Sequence, residues 1–141
     1  MSYLPNFAGL GQSVVTKTLT FSNDAAGQVN LFTVTGDVIV KVVPVCTTNI
    51  ASAAAGNITM GAVGDLDAMI GTTLGTDIDA REIWIDATPD SEIEAFATIR
   101  DYIITDGNDI QLDLDAQIDS GVIAFYCFWT PLSSDGNVVA A

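Results

Sequence analysis

The chain contains no histidine, and its ionisable chemistry rests on 18 Asp and Glu, 4 Lys and Arg, two cysteines and three tyrosines in 141 residues. Without histidine, the commonest general base at neutral pH and the commonest zinc ligand are both missing. Catalysis would have to run on carboxylates, lysine, cysteine or tyrosine. Cys46 and Cys127 lie in apolar runs, where a free cysteine packs as a small hydrophobe, and no neighbouring base is at hand to activate either thiol. Two cysteines are also too few for a disulfide scaffold. Asp65, Asp67, Asp77 and Asp79 bracket one stretch, and Asp106-Gly107-Asn108-Asp109 forms another. Calcium takes six to eight oxygens, but neither stretch has the spacing of an EF-hand or of a glycine-rich nonapeptide repeat, so solvated turns are expected rather than a metal site. A glycosidase would need two carboxyls facing across a cleft, and nothing in the spacing marks such a pair. Gly9-Leu10-Gly11 has no helix after it, and no phosphate-binding loop occurs. The expectation is a non-enzymatic protein without cofactor.

Composition narrows the partners. The formal charge is −14 at pH 7, and a surface this acidic repels phosphate backbones and anionic lipid headgroups, which are bound through clustered Lys and Arg. Nucleic acid and membrane are excluded as expected partners. Hydrophobic residues make up 49% of the chain, enough for a folded core rather than a disordered polymer. No apolar run approaches the ~18 residues of a membrane-spanning helix, and the start lacks the basic-then-apolar pattern of a secretory signal. Synthesis in the cytoplasm as a soluble protein is the resulting expectation.

The elements that must position these side chains read as strands. β-branched and aromatic residues recur in short runs bounded by Gly, Asn, Asp or Pro. From Val14 to Phe21 the chain alternates, with Val15, Lys17, Leu19 and Phe21 on one face and threonines on the other. Gln28 to Thr35 and Val38 to Cys46, joined by Gly36-Asp37, are expected to form a hairpin. The second of these runs is apolar on both faces, as in a central strand, with Pro44 at its end or in a bulge. Thr47 to Ala55 reads as a loop, Asn57 to Val63 as a short strand, and Asp65 to Asp79 as one or two helical turns, since Leu66, Met69 and Ile70 share a helical face. Further strands are expected over 82–88, 96–105, 110–118 and 122–130. In 110–118, Ile110, Leu112, Leu114, Ala116 and Ile118 face inward, while Gln111, Asp113, Asp115, Gln117 and Asp119 face outward. The acidic ladder also discourages strand-edge aggregation. About eight strands, without a βαβ period, predict an all-β antiparallel sandwich or jelly roll spanning residues 13–141, preceded by an extended arm over 1–12.

The arm holds the candidate binding residues. Tyr3, Leu4, Phe7 and Leu10 are large apolar groups in a segment broken by Pro5, Gly9 and Gly11. They cannot build a core of their own, so they either dock on a partner or neighbouring subunit or cover one end of their own sandwich.

Three stretches carry a family resemblance. Phe125-Tyr126-Cys127-Phe128-Trp129-Thr130-Pro131-Leu132-Ser133-Ser134-Asp135-Gly136-Asn137-Val138-Val139, the preceding Ile83-Trp84-Ile85-Asp86-Ala87-Thr88-Pro89-Asp90, and Gly36-Asp37-Val38-Ile39-Val40-Lys41-Val42 resemble small virion proteins of tailed bacteriophages, over most of the sequence from residue 28 onward. The resemblance implies a β-sandwich decoration or cement protein on the capsid exterior of the virion, binding the major capsid protein and often working as a homotrimer. A second class is a head-fibre or tail-associated module recognising a host surface ligand. That class would expose aromatic residues near polar groups, whereas Trp84 and Trp129, the two tryptophans, fall in expected strand cores. A carboxylate-dependent hydrolase is the third and weakest class.

Overall fold

The computed structural model describes residues 13–141, which fold as two antiparallel sheets stacked in a sandwich. In chain order the strands are β1 (Ser13–Asp24), β2 (Gly27–Thr35), β3 (Val38–Ala51), β4 (Asn57–Ala62), β5 (Asp65–Leu74), β6 (Tyr102–Ile104), β7 (Ile110–Leu114), β8 (Ile118–Pro131) and β9 (Asn137–Ala140), with single 3-10 turns at Gly75–Asp77 and Phe96–Thr98. Sheet A has the order β1-β8-β3-β6, and sheet B the order β5-β4-β7-β2-β9. Among the described residues no helix is long and apolar enough to cross a membrane. The expected all-β architecture is what forms, with nine strands.

Alternation builds both sheets. Along β1, Val15, Lys17 and Leu19 are half-buried and Phe21 is buried, while Val14, Thr16, Thr18 and Thr20 are exposed. Along β7, Ile110, Leu112 and Leu114 are buried and Gln111 and Asp113 face out. The two inner faces meet in one core that includes Phe32, Ile58, Met60, Leu112, Ile118, Ile123 and Phe125. Full burial of a side chain such as Phe125 contributes about 1.5–3 kcal/mol. Leu31 and Phe32, though adjacent, are both fully buried because the β2–β7 register shifts between Asn30 and Phe32, and the extra residue turns a second side chain inward.

Several expectations fail for identifiable reasons. β2 and β3 form no hairpin, because the Gly36-Asp37 turn carries the chain from one sheet to the other. Gly36 has φ of +63°, and a Cβ there would lie 2.5 Å from Asp135 Oδ1. The turn is tied sideways instead, with Asp37 N donating to Ser133 Oγ at 2.8 Å and Gly36 N to Asp106 Oδ1 at 2.8 Å. β3 continues through Thr47 to Ala51, where a loop was expected. Pro44 sits inside β3, beyond the three residues that pair with β6. Its carbonyl accepts from Trp84 N at 3.0 Å, so its missing N–H faces the irregular chain on that side and removes no bond to β8.

Asp65–Leu74 is a strand rather than helical turns. Two register shifts against β4 make Met69 and Ile70 mimic a helical spacing. Residues 82–88 form one isolated bridge, Val45 with Ile83, and 96–105 keeps only β6 as strand. The expected strand over 110–118 divides at 115–117, where β7 ends in sheet B and β8 begins in sheet A. Its alternation persists because both halves point at the same core. The run expected over 122–130 is the middle of β8, and β9 follows it as a further strand.

Candidate docking face

The two outer faces of the sandwich differ sharply in chemistry. On sheet A, cross-strand partners place Val14, Phe128 and Lys41 in one row, Thr16, Tyr126 and Val43 in the next, and Thr18, Ala124 and Val45 in a third. Ile39 and Ile103 extend this face at the β6 side. None of these side chains is a carboxylate, in a chain that carries 18. On sheet B the outward positions hold Gln28, Asn30, Thr59, Gln111 and Asp113. Gln28 Nε2 donates to Asp113 Oδ1 at 2.8 Å and Asn57 Nδ2 to Asp115 Oδ2 at 2.8 Å, so polar groups of this surface bond one another.

The segment between β5 and β6 folds over one corner of the apolar face. Trp84 anchors it. This side chain is fully buried, and its Nε1 donates to Thr73 Oγ1 on β5 at 3.0 Å. Farther along, Phe96 meets Phe128 edge-on, with ring centroids 5.1 Å apart and planes at 79°. Lys41 is only 6% exposed, lies 4.0 Å from the Phe96 ring centroid and donates to the Phe96 carbonyl at 2.9 Å. The ring face and the carbonyl thus hold a cation within an apolar surface where no carboxylate is supplied. Phe96 is itself 48% exposed, Ile103 71% and Tyr126 39%. Contiguous exposed apolar and aromatic groups with few charges are the composition of an interface core.

The two thiols are held in their protonated form. Burial pushes the Cys127 thiol up to about 12, and burial, partly offset by a backbone hydrogen bond with Thr48, pushes Cys46 up to about 11. Both are therefore protonated and inert at neutral pH. A cavity of about 340 Å³ opens between β5 and the 84–102 segment, lined among others by Met60, Asp67, Trp84, Arg100 and Tyr102. The hydrogen bond and charge of Asp65 raise the Asp67 carboxyl above the usual range.

The acidic turns act within the fold. Asp109 Oδ1 accepts from Val34 N at 2.9 Å, and Asp37 Oδ1 from Asp106 N at 3.1 Å. The side chain and backbone N–H of Asn57 hold Asp115 below the usual range, and the Ala53 N–H with the Gln117 amide does the same for Asp119. Among the described residues no three His, Cys, Asp or Glu side chains gather as metal ligands. The candidate binding residues of the arm, Tyr3, Leu4, Phe7 and Leu10, lie outside the described residues. Sequence reading missed the Lys41 and Phe96 contact. Its one available signal was a lone lysine in the otherwise apolar run from Val38 to Val45.

No protein-family model matches the chain, and no curated protein matches it. Among solved structures it is similar to a chain of the acidic stable capsid structure of Helicobacter pylori bacteriophage KHP30, at 12% identity over 92% of each chain with a TM-score of 0.45.

Proposed function

We propose that the protein is a non-enzymatic decoration protein of a tailed-phage head, which binds the outer surface of the major capsid protein lattice and cements it. The observation that carries this reading is that the rows Val14–Phe128–Lys41, Thr16–Tyr126–Val43 and Thr18–Ala124–Val45 on the outer face of sheet A hold no carboxylate in a chain of charge −14. Such a face is where an acidic protein can approach another protein without bringing like charges together, while the acidic remainder keeps free copies soluble. The resemblance of residues 83–90 and 125–139 to small tailed-phage virion proteins supports the same reading.

Cementing follows from mass action. A protein that binds only the assembled lattice stabilises it by its binding free energy, and many symmetry-related copies multiply a modest contact. In this proposal the decorating unit is a homotrimer made in the host cytoplasm and displayed on the capsid exterior. The arm residues Tyr3, Leu4, Phe7 and Leu10 add contacts to the capsid or to a neighbouring subunit.

Co-sedimentation with undecorated, expanded capsids tests the reading. Saturable binding at a fixed ratio to the major capsid protein is the expected result, and absence of binding to heads overturns it. Deleting residues 1–11 is expected to leave the sandwich folded and weaken attachment. Unchanged affinity would remove the arm from the account.

A further inference from the structure

Sheet edges separate one strand of this sandwich from the rest. A free edge presents unpaired N–H and C=O groups, and folded proteins blunt it by keeping the strand short, bulging it, or placing charges or proline on it. Three of the four edges follow this rule. β6 has three residues and β9 has four, while β5 carries Asp65 and Asp67 and shifts register twice against β4. β1 has neither the shortness nor the bulge nor the proline, and its charges are confined to Lys17 and Asp24. It runs for 12 residues, contains no proline, and pairs with β8 residue for residue from Ser13 to Ser22 without a bulge. Its sole carboxylate, Asp24, stands at the far end. Its one cation, Lys17, is tied down, with Nζ donating to the Ala141 carbonyl at 2.6 Å. Among the described residues, no strand pairs with the other edge of β1.

We infer that β1 is a self-recognition edge: β1 of a second copy pairs antiparallel with it, joining two four-stranded sheets into one continuous eight-stranded sheet. The occupant is a second copy because the two requirements of such a contact are met by the strand itself. An isologous antiparallel pair needs a partner of equal length and the same pattern, which β1 supplies to its own copy. It also needs no like charges face to face between chains of charge −14, and the β1 positions facing outward, Val14, Thr16, Thr18 and Thr20, are uncharged. Threonines set opposite one another on neighbouring strands are favourable cross-strand pairs. The pairing extends the carboxylate-free rows of sheet A into a doubled surface, and it is independent of what that face docks on. It is also a contact separate from the threefold one of the proposed trimer, so two trimers that pair through β1 form an even-numbered assembly, whereas a trimer with unpaired β1 edges stays odd-numbered.

Multi-angle light scattering and amide hydrogen exchange on the full-length protein test this together. The mass is expected to rise with concentration toward an even multiple of the 14.7 kDa chain, with successive β1 amides protected rather than every second one. Added salt is expected to favour the pair by screening the net repulsion, the reverse of an ion-paired contact. Thr16→Lys with Thr18→Lys, both at exposed positions, sets lysines against lysines across the pair. It is expected to weaken association roughly tenfold or more and to release the edge amides, with the thermal midpoint of the sandwich kept. An odd-numbered mass with freely exchanging edge amides overturns the inference, using the unmodified protein alone. Protection of β1 that vanishes when residues 1–12 are deleted also overturns it, because the arm would then be the occupant.

Discussion

Removing the indole of Trp84 should show how the docking face is held in shape. The side chain is fully buried and donates to Thr73 Oγ1 at 3.0 Å, and the Thr73 residue is itself fully buried. Trp84→Ala therefore deletes a whole aromatic group between the edges of the two sheets and is expected to cost about 3–5 kcal/mol. Thr73→Val keeps the volume but leaves a buried indole N–H without an acceptor, at about 1–3 kcal/mol. Trp84→Phe loses packing and the same hydrogen bond. The double variant Trp84→Phe with Thr73→Val removes both polar partners, so its cost should fall short of the sum of the two single costs by about 1 kcal/mol. Urea unfolding followed by fluorescence and circular dichroism supplies the four free energies. Because the segment anchored by Trp84 brings Phe96 onto Phe128 and Lys41, the Trp84→Ala variant should also bind a hydrophobic dye more strongly below its unfolding transition. Additive costs, or a neutral Thr73→Val, would refute the claim that this hydrogen bond locks the segment.

Three further outcomes follow from the geometry. Gly121 on β8 has φ of +125°, and a Cβ there would lie 2.8 Å from Ile50 Cα, so Gly121→Ala should destabilise by about 1–3 kcal/mol or more in the same urea assay. Asp115 and Asp119 have folded pKa values held down by their hydrogen bonds. Their stabilisation is fully present above the unfolded value of about 4 and is lost as pH falls through the lower folded values. Asp67, raised by Asp65, acts with the opposite sign: its contribution is lost as pH rises through its folded value and is fully present below the unfolded value. A thermal midpoint measured from pH 6 down to pH 2.5 should accordingly fall most steeply below about 4, and Asp115→Asn should flatten that acid limb. Finally, Cys46 and Cys127, both buried with raised pKa values, should resist a thiol reagent at pH 8 in the native protein and react fully in denaturant. Rapid native labelling of either would contradict their placement.

Half-buried strands were the legible part of this fold. Val15, Lys17, Leu19 and Phe21 on β1, and Ile110, Leu112 and Leu114 on β7, alternate because one side of each strand faces the core and the other faces away from it. The same alternation hid the break at 115–117, since β7 and β8 belong to different sheets but address one core. Bulges defeated the reading of β5, where shifts in register place Met69 and Ile70 as a helix would. The expected hairpin of β2 with β3 failed through long-range ties. Asp106, Ser133 and Asp135 secure the Gly36-Asp37 turn from far along the chain, and no local pattern announces them. Aspartates with no more than a turn-forming role in the sequence became the acceptors that close loops, as Asp109 does for Val34 N. The docking face was illegible for a related reason. Its chemistry is an absence of carboxylates along rows drawn from three strands, Val14 with Phe128 and Lys41 being one, and only the register brings those residues side by side.

The central claim is that the outer face of sheet A carries the contact with the capsid, and the most direct test is capsid co-sedimentation of two matched variants. Tyr126→Glu places a carboxylate in the middle of that face, beside Thr16 and Val43. Gln28→Glu adds the same charge to the outer face of sheet B, opposite Asp113. The account predicts that Tyr126→Glu loses saturable binding to expanded heads while Gln28→Glu binds as the unmodified protein does. Equal binding by both, or loss confined to Gln28→Glu, would contradict it.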